Sequence, residues 1–469
     1  MDIGTILLLV ISSIVFLGYL ADVLFRKLGI PHILFLLVIG YIIGPGLGYV
    51  DFSQYGDINT FIGTLVLIII LFESGMELNI FDVIHKSGRG LLMGLLEIIF
   101  SMAFCAAAFY YIFNINPWVG AIFGVIAGGS TPQIIMPLLK KLNVSNDVKH
   151  FFTIESSATD GISVVIAIVL VAALVTNSFN LHDAGQLMLA YLSVGAVLGI
   201  VIGIATVVLM SRAKIDYPYM MIIAVLISLY VFAEYFQGSG VMAVLLYGIV
   251  LGNRKEIGEM FKFKGLEDDT VTRLFQAEIS FFISTFFFIY MGTMVHVPSI
   301  HILQIAAVAT AALFIAKIIA TYITTFRSFL ARYNKLIIAM QAKGIEIAVL
   351  SIMLPTIILS QYANSPNLAY AKAQLSILPE LSIAIIVSSI IINSIGVFFL
   401  KDKINEMELG EEGKKEEEEK IRKAVHEKLG SNKMPKKDGE ETGGQKKPEE
   451  KSQEGRKPAG KKPGDIIDG

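Results

Sequence analysis

The chain is made largely of apolar runs long enough to cross a membrane, and this repetition restricts the fold more than any other feature. A helix needs roughly 17–25 predominantly apolar residues to span a bilayer. Runs of that kind recur up to residue 400, and only 17% of the 469 residues are charged. The pattern predicts an all-α polytopic membrane protein with about thirteen transmembrane helices. The predicted spans are residues 3–24, 32–49, 58–80, 89–113, 117–141, 149–175, 185–211, 217–236, 239–253, 275–296, 300–325, 334–361 and 375–400.

The loops between the predicted spans alternate between basic and non-basic. The first loop carries Arg26 and Lys27, the second (51–57) carries no Lys or Arg, and the alternation continues until the last loop, whose single base is Lys372. Cytoplasmic loops carry the excess of Lys and Arg. We therefore predict a protein of the plasma membrane, surrounded by lipid, with its N-terminus outside and its C-terminus in the cytoplasm.

The composition changes after residue 400. Residues 1–400 are predicted to form the membrane domain, and residues 401–469, which are rich in Lys, Glu, Gly and Pro, a charged cytoplasmic tail. Such a composition buries too little apolar surface to fold alone, so most of the tail is predicted to be disordered. The segment from Glu411 to Leu429 is compatible with a charged helix. No G-x-G-x-x-G motif follows a predicted strand, and neither a cofactor nor a nucleic-acid partner is predicted.

Two of the predicted spans are interrupted by polar, Gly and Pro residues. The fifth contains Ser130, Thr131 and Pro132, and the twelfth contains Lys343 and Gly344. They are seven spans apart, so they correspond in a plan of two inverted six-helix units joined by one helix. Inverted repeats with discontinuous helices are typical of secondary transporters, which bind their ions where these helices break. We therefore predict two crossed broken helices of opposite direction.

Asp160, in the sixth predicted span, is the residue that we expect to bind an ion or a proton. An Asp at the centre of a spanning helix disfavours insertion by roughly 2.5–3.5 kcal/mol, and such residues usually mark an ion or proton route. Ser156 lies four residues earlier and shares its helix face. Carboxylate and hydroxyl oxygens suit hard alkali cations. The predicted ion-binding and proton-binding residues are Asp160, Ser130, Thr131, Ser156, Thr159 and Glu73.

A second acid of the sixth span, Glu155, is predicted to have a structural role. It lies roughly 140° from Asp160 around the helix, so the two carboxylates need not share one site. A buried acid requires a cationic partner, because an unpaired buried charge is costly. Lys317 lies deep in the eleventh span. We predict that Glu155 and Lys317 form an ion pair that braces the sixth helix against the eleventh.

The sequence does not fix the role or the partner of four further charged residues in the spans. Lys343 precedes Glu346 by about one turn, and a local pair is one interpretation of these two residues. Glu73 follows a run of apolar residues and is either an ion ligand or an ordinary acid at the membrane edge. Glu97 lies inside the fourth span, and the sequence indicates no partner for it.

Several of these segments together resemble the monovalent cation:proton antiporter superfamily, and in particular the sodium/proton exchangers of the NhaP kind. The matching segments, in chain order, are Leu28–Pro31, Gly40–Pro45, Leu71–Leu78, Glu155–Gly161, Lys317 and Lys343. The resemblance covers about residues 5 to 400 and implies the sodium/proton antiporter fold and a homodimer. The chain departs from the family pattern in two motifs: the Thr-Asp-Pro break reads Ser-Thr-Pro here, and the Asn before the essential Asp is Thr159. Lys317 and Lys343 also stand where the NhaP kind tends to use Arg.

The function predicted from this pattern is exchange of Na⁺, or alternatively K⁺, for H⁺. Asp160 would hold either a proton or the cation, one at a time, and the neutral Thr159 favours electroneutral one-for-one exchange. The alternative within transporters is a sodium-coupled symporter of organic anions with a similar fold. A passive channel lacks a recognisable filter sequence. An intramembrane aspartyl protease, the enzymatic alternative, requires two facing Asp residues, and only one deep Asp is found.

Overall fold

A computed structural model describes most of the membrane domain and the start of the tail. The described residues are 12–13, 15–21, 23–24, 32–48, 56–78, 88–142, 144–176, 181–213, 217–262, 270–294, 299–361 and 365–430. All regular structure within these ranges is helical. The chain divides into two units, Met1–Gly410 and Glu411–Gly469, and the boundary expected at residue 400 stays a prediction.

Sixteen α-helices are numbered here in chain order through the described ranges. The first eight are α1 His32–Tyr41, α2 Gly56–Glu77, α3 Gly88–Phe113, α4 Pro117–Ile126, α5 Pro132–Lys141, α6 Asn146–Thr176, α7 Leu181–Arg212 and α8 Pro218–Tyr235. The others are α9 Gly240–Gly252, α10 Arg254–Phe261, α11 Thr270–Met294, α12 Ile300–Thr325, α13 Asn334–Ala339, α14 Ile345–Gln361, α15 Leu368–Leu375 and α16 Leu378–Gly430. A π-helical turn, Ile42–Gly46, continues α1, and a 3₁₀ turn, Phe329–Tyr333, precedes α13.

Seven helices in the described part of the chain are long and apolar enough to cross a membrane. They are Gly88–Phe113, Asn146–Val175, Leu192–Arg212, Pro218–Tyr235, Leu274–Met294, Ile300–Thr325 and Leu368–Glu406. Three shorter apolar helices, at Ile33–Gly46, Pro117–Ile126 and Gly240–Gly252, accompany them. The predicted total of about thirteen spans stays a prediction, because residues 3–11 and other segments lie outside the described ranges.

Helix starts follow local capping chemistry. The side chain of Asn116 accepts a hydrogen bond from the backbone N–H of Trp118, and Pro117 occupies the first turn of α4. The side chain of Ser299 accepts from the N–H of Ile302 at the start of α12. These caps satisfy backbone donors that have no partner inside the helix.

Helix α3 packs against α4, α6 and α12, and these contacts bring the charged residues of the spans together. Gly94 permits the approach to α6, since a Cβ there would lie 2.5 Å from Cγ2 of Thr159 and 3.1 Å from the carbonyl oxygen of Glu155. At the start of α3, the side chain of Arg89 donates a hydrogen bond to the carbonyl oxygen of Thr324, near the end of α12, over 2.9 Å. Elsewhere α9 packs against α2 and α7, and α1 packs against α11.

Candidate functional site

Two predicted spans, 117–141 and 334–361, are each divided into two helices in the structure. The first breaks between α4, which ends at Ile126, and α5, which begins at Pro132; the second breaks between α13 and α14. Thr131 has an extended backbone conformation, and Pro132 lacks the N–H that a first helical residue would leave unpaired. The sequence chemistry therefore places the break directly before the proline.

The two breaks meet and hydrogen-bond to each other. The backbone N–H of Thr131 donates to the carbonyl oxygen of Ala342 over 2.9 Å. The side chain of Thr131 also lies against Gly344, where a Cβ would come within 2.5 Å of its Oγ1 and Cγ2 atoms. We call this meeting point, residues 127–131 and 340–346, the crossing.

Helix α16 supplies partners for backbone groups of the second break. The N–H of Gln341 donates to Oδ1 of Asn393 over 2.7 Å, and the N–H of Lys343 donates to Oγ of Ser389 over 3.2 Å. Both side chains are buried. Broken backbone at membrane depth is tolerated only where its polar groups find such partners, so these two residues stabilise the interruption.

Replacing Gly344 by Ala is expected to destabilise the crossing. The added methyl group would overlap the side chain of Thr131, so one of the two interrupted segments has to move, at a cost of roughly 1–3 kcal/mol. Purified protein in detergent should therefore unfold at a lower temperature than the wild type. Gly88→Ala is the matched control, because no atom lies within 4 Å of a Cβ at that position. Equal melting of the two variants would contradict a tight crossing.

Beside the crossing, Lys317 of α12 contacts two acids and a hydroxyl. Its Nζ lies 2.7 Å from Oε2 of Glu97 and 3.1 Å from Oε1 of Glu155. It also donates to Oγ of Ser130 over 2.9 Å. The predicted contact between Glu155 and Lys317 is present in this geometry, whereas the shorter contact with Glu97 was not predicted.

Lys343, in the second break, contacts the same group of charges from the other side. Its Nζ lies 3.3 Å from Oε1 of Glu97 and donates to the carbonyl oxygen of Gly129 over 2.6 Å. The local pairing with Glu346 suggested by the spacing is therefore wrong: the side chain of Lys343 extends across the crossing instead. Gly129 lies three residues after the end of α4, so the ammonium group of Lys343 stands near the negative end of that helix dipole, which favours a cation.

We call Glu97, Glu155, Lys317 and Lys343 the buried ion cluster. None of the four is more than 2% exposed, and two acids with two bases make its formal charge zero. Desolvation of charges is costly, and only close pairing with further hydrogen bonds compensates for it. The cluster therefore ties α3, α6, α12 and the second break together, and its balance leaves no charge of its own for a transported cation.

Sequence reasoning located Glu97 in its span but assigned it no partner. The signal that identified Glu155, an acid inside an apolar run, applied equally to Glu97. Two acids and two bases within the spans were the available signal for a four-membered cluster, but that prediction was not made. Spacing alone does not pair Glu97 with Lys317 or Lys343, which lie 220 and 246 positions away.

The crossing contains one further acid, Glu346, in the first turn of α14. The hydroxyl of Thr131 donates to Oε2 of Glu346 over 2.7 Å. The other carboxylate oxygen, Oε1, is buried and has no hydrogen-bond partner in the structure. Thr131 was predicted to be an ion ligand, and its contact with a carboxylate was not foreseen.

The remaining predicted ligands lie on α6 and α2. The buried hydroxyl of Ser156 donates to the carbonyl oxygen of Phe152 over 2.7 Å, and that of Thr159 donates to the carbonyl oxygen of Ser156 over 2.8 Å. Asp160 belongs to α6, but its side chain lies outside the described part of the structure. Glu73 is partly buried near the end of α2. The roles of these residues as ligands stay predictions.

Helix α6 packs against α4 and α5, on both sides of the first break, and against α14 after the second. The helix that carries Asp160 thus adjoins the crossing directly. Among the described residues, no group of three or more His, Cys, Asp or Glu side chains is placed to hold a metal ion.

A multi-pass bundle of apolar helices with two interrupted helices crossing beside buried charges defines the broken-helix class of membrane transport proteins. Within that class, the chain belongs to the sodium/hydrogen exchanger family: the family model described as "Sodium/hydrogen exchanger, transmembrane" matches residues 11–402. The family resemblance read from the sequence motifs is thereby confirmed.

Curated relatives from several bacteria are similar to part of the chain. The K⁺/H⁺ antiporter NhaP of Alkalimonas amylolytica is 24% identical over 53% of this chain and 44% of its own length. The low-affinity Na⁺/H⁺ antiporter NhaS1 of Synechocystis is 25% identical over 62% of this chain and 55% of its own. The chain thus spans about half the length of the curated relatives that it matches.

The fold is similar to that of the sodium proton antiporter MjNhaP1 from Methanocaldococcus jannaschii. The two structures align with a TM-score of 0.70 at 19% sequence identity, over 86% of this chain and 99% of the other. At this identity the likeness concerns the fold alone. It confirms the predicted fold class, an all-α bundle of the sodium/proton antiporter type.

Proposed function

We propose that the protein is a secondary active transporter that exchanges Na⁺ or K⁺ for H⁺ across the membrane. The observation that carries this proposal is the crossing, where the N–H of Thr131 meets the carbonyl oxygen of Ala342 at 2.9 Å beside the helix that bears Asp160. Interrupted helices of this kind form the ion sites of secondary transporters. Membership of the sodium/hydrogen exchanger family supports the same function.

In the proposed mechanism, one carboxylate, Asp160, binds a proton or a cation but not both. Hydroxyl oxygens of Ser130, Thr131, Ser156 and Thr159 contribute further ligands, and Glu73 adds an acid from α2. Hard alkali cations favour such oxygen ligands. Movement of one half of the membrane domain against the other then exposes the site alternately to the two sides of the membrane.

The buried ion cluster supports one-for-one exchange. Its four charges cancel, so Glu155 is already neutralised, and Asp160 is the acid within the α6 span that exchanges a proton for a cation during the cycle. One cation entering for each proton leaving makes the exchange electroneutral. The relatives are named as K⁺/H⁺ and Na⁺/H⁺ antiporters, which gives no support to the organic-anion symporter.

The assembly and orientation complete the proposal. The family resemblance supports a homodimer in the plasma membrane. The alternation of basic loops supports an N-terminus outside the cell and a C-terminus in the cytoplasm.

The proposed function is tested with purified full-length protein in liposomes that contain a pH-sensitive dye. Imposed gradients of Na⁺, K⁺ and Li⁺ are compared, each with the membrane potential clamped and unclamped. We expect a Na⁺ or K⁺ gradient to drive proton movement at a rate that clamping leaves unchanged, because the exchange moves no net charge. If none of the three cation gradients drives proton movement, antiport is contradicted. A rate that depends on the membrane potential would contradict electroneutral exchange.

A further inference from the structure

The crossing contains a carboxylate that the buried ion cluster does not neutralise. Lys317 and Lys343 are matched by Glu97 and Glu155, so their charges are already balanced. Glu346 stands beside this cluster, and its contact with a described side chain is the hydroxyl of Thr131, 2.7 Å from Oε2. A hydroxyl supplies a hydrogen bond but no positive charge.

The free oxygen of this carboxylate lies inside the protein. Oε1 of Glu346 is buried and has no hydrogen-bond partner among the residues that the structure describes. An ionised buried carboxylate without a counter-charge is strongly disfavoured, and either a proton on it or a cation beside it removes that cost. The side chain therefore needs a positive charge that the described residues do not provide.

Thr131 joins this acid to the opposite interrupted helix. Although it stands directly before α5, its side chain makes no capping hydrogen bond to that helix and donates to Glu346 instead. The first break reads Ser-Thr-Pro and has no acid of its own, so Glu346 brings a carboxylate to it from the second. The lone pairs of the Thr131 hydroxyl oxygen stay available to a ligand.

We propose that Glu346 and Thr131 form a cation-binding site in the crossing, with Glu346 as a charged ligand for the transported alkali cation in addition to Asp160. This inference rests on the proposed function and names a further residue of the same route. A carboxylate and a hydroxyl are oxygen ligands of the kind that hard cations select. Their origin in two different interrupted helices makes cation binding sensitive to the distance between the two breaks.

The test measures cation binding and transport separately, on the full-length protein. Binding is measured as the rise in melting temperature on addition of NaCl or KCl, since a ligand that binds the folded state stabilises it. Transport is measured as the cation concentration that gives half-maximal proton flux. The variants are Glu346→Gln, Glu346→Asp and Thr131→Val, and the matched control is Glu278→Gln, an acid exposed on α11.

For Glu346→Gln we expect a roughly 10- to 100-fold rise in two quantities: the salt concentration that gives half of the maximal increase in melting temperature, and the cation concentration that gives half-maximal proton flux. Loss of even an outer partner of a metal ligand lowers metal affinity by that factor. Glu346→Asp should lie between this variant and the wild type, and Glu278→Gln should match the wild type. Unchanged cation concentrations in Glu346→Gln, or a change confined to the pH profile, would overturn the inference.

The test remains decisive if Glu346→Gln does not fold or if the wild type does not transport. If Glu346→Gln does not fold, Thr131→Val decides: a higher cation requirement supports the site, and a wild-type requirement overturns it. If the wild type exchanges no ions, the proposed function fails, while the melting experiment still decides whether Glu346 binds a cation.

Discussion

Replacement of Asp160 by Asn is expected to abolish cation-driven proton exchange in proteoliposomes. The amide has nearly the same size as the carboxylic acid but carries no charge and does not take up and release a proton. Because the proposed mechanism alternates a proton and a cation on this one carboxylate, its loss removes both halves of the cycle. Dye-reported proton flux in response to Na⁺ and K⁺ gradients measures the effect.

A matched control for this prediction lies on the same helix. Asp147 is exposed in the first turn of α6, and Asp147→Asn should transport at the wild-type rate. The melting temperature of the Asp160 variant, taken in detergent, establishes that the fold is intact. Undiminished exchange by Asp160→Asn would exclude this side chain from the mechanism and leave Glu346, the acid of the crossing, as the alternative.

Replacement of Lys317 by Met is expected to lower the free energy of unfolding by about 3–5 kcal/mol, the range found when one partner of a buried ion pair is removed. Met has a similar length and no charge, so the change isolates electrostatics from packing. It would leave Glu97 and Glu155 with a single base, Lys343, whose described contact in the cluster is with Glu97. Unfolding of the purified protein in detergent, followed by denaturant or temperature, measures the loss.

A second substitution should restore much of this stability. In Lys317→Met combined with Glu155→Gln, the cluster retains one acid and one base, Glu97 and Lys343, and its charge returns to zero. The double variant should therefore be more stable than Lys317→Met alone, and comparison with both single variants, Lys317→Met and Glu155→Gln, gives the coupling between the two sites. Lys372→Met, at an exposed position of α15, is the control. Additive losses in the double variant would show that the two side chains do not interact.

The helical architecture and the two interruptions could be predicted from the sequence because both depend on local chemistry. Apolar runs of membrane length indicate spanning helices wherever they occur. Ser130, Thr131 and Pro132 in one run and Gly344 in another indicate breaks, because Pro removes a backbone donor and Gly weakens a helix. The structure breaks both runs at these residues.

The composition of the buried ion cluster could be predicted only in part. Each acid and base stands out within its own apolar run, but the partner of each is decided by helix packing. Glu97 contacts Lys317 because α3 packs against both α6 and α12, and no periodicity in the chain encodes that arrangement. Lys343 was misassigned for the same reason: its neighbour Glu346 is close in sequence, whereas Glu97 is close in space.

The order of these charges along the chain has a consequence for biogenesis. Glu97 and Glu155 are synthesised 220 and 162 residues before Lys317, the first of the two bases that neutralise them. At ribosomal speeds of roughly 5–20 residues per second, the earlier acid waits on the order of ten to forty seconds for its counter-ion. During that interval the nascent chain holds two acids in or near the bilayer, where they must stay hydrated, protonated or shielded by the insertion machinery. The buried acids of the N-terminal portion are therefore neutralised only after Lys317 and Lys343 have been synthesised and inserted, and the membrane domain cannot complete its folding before then.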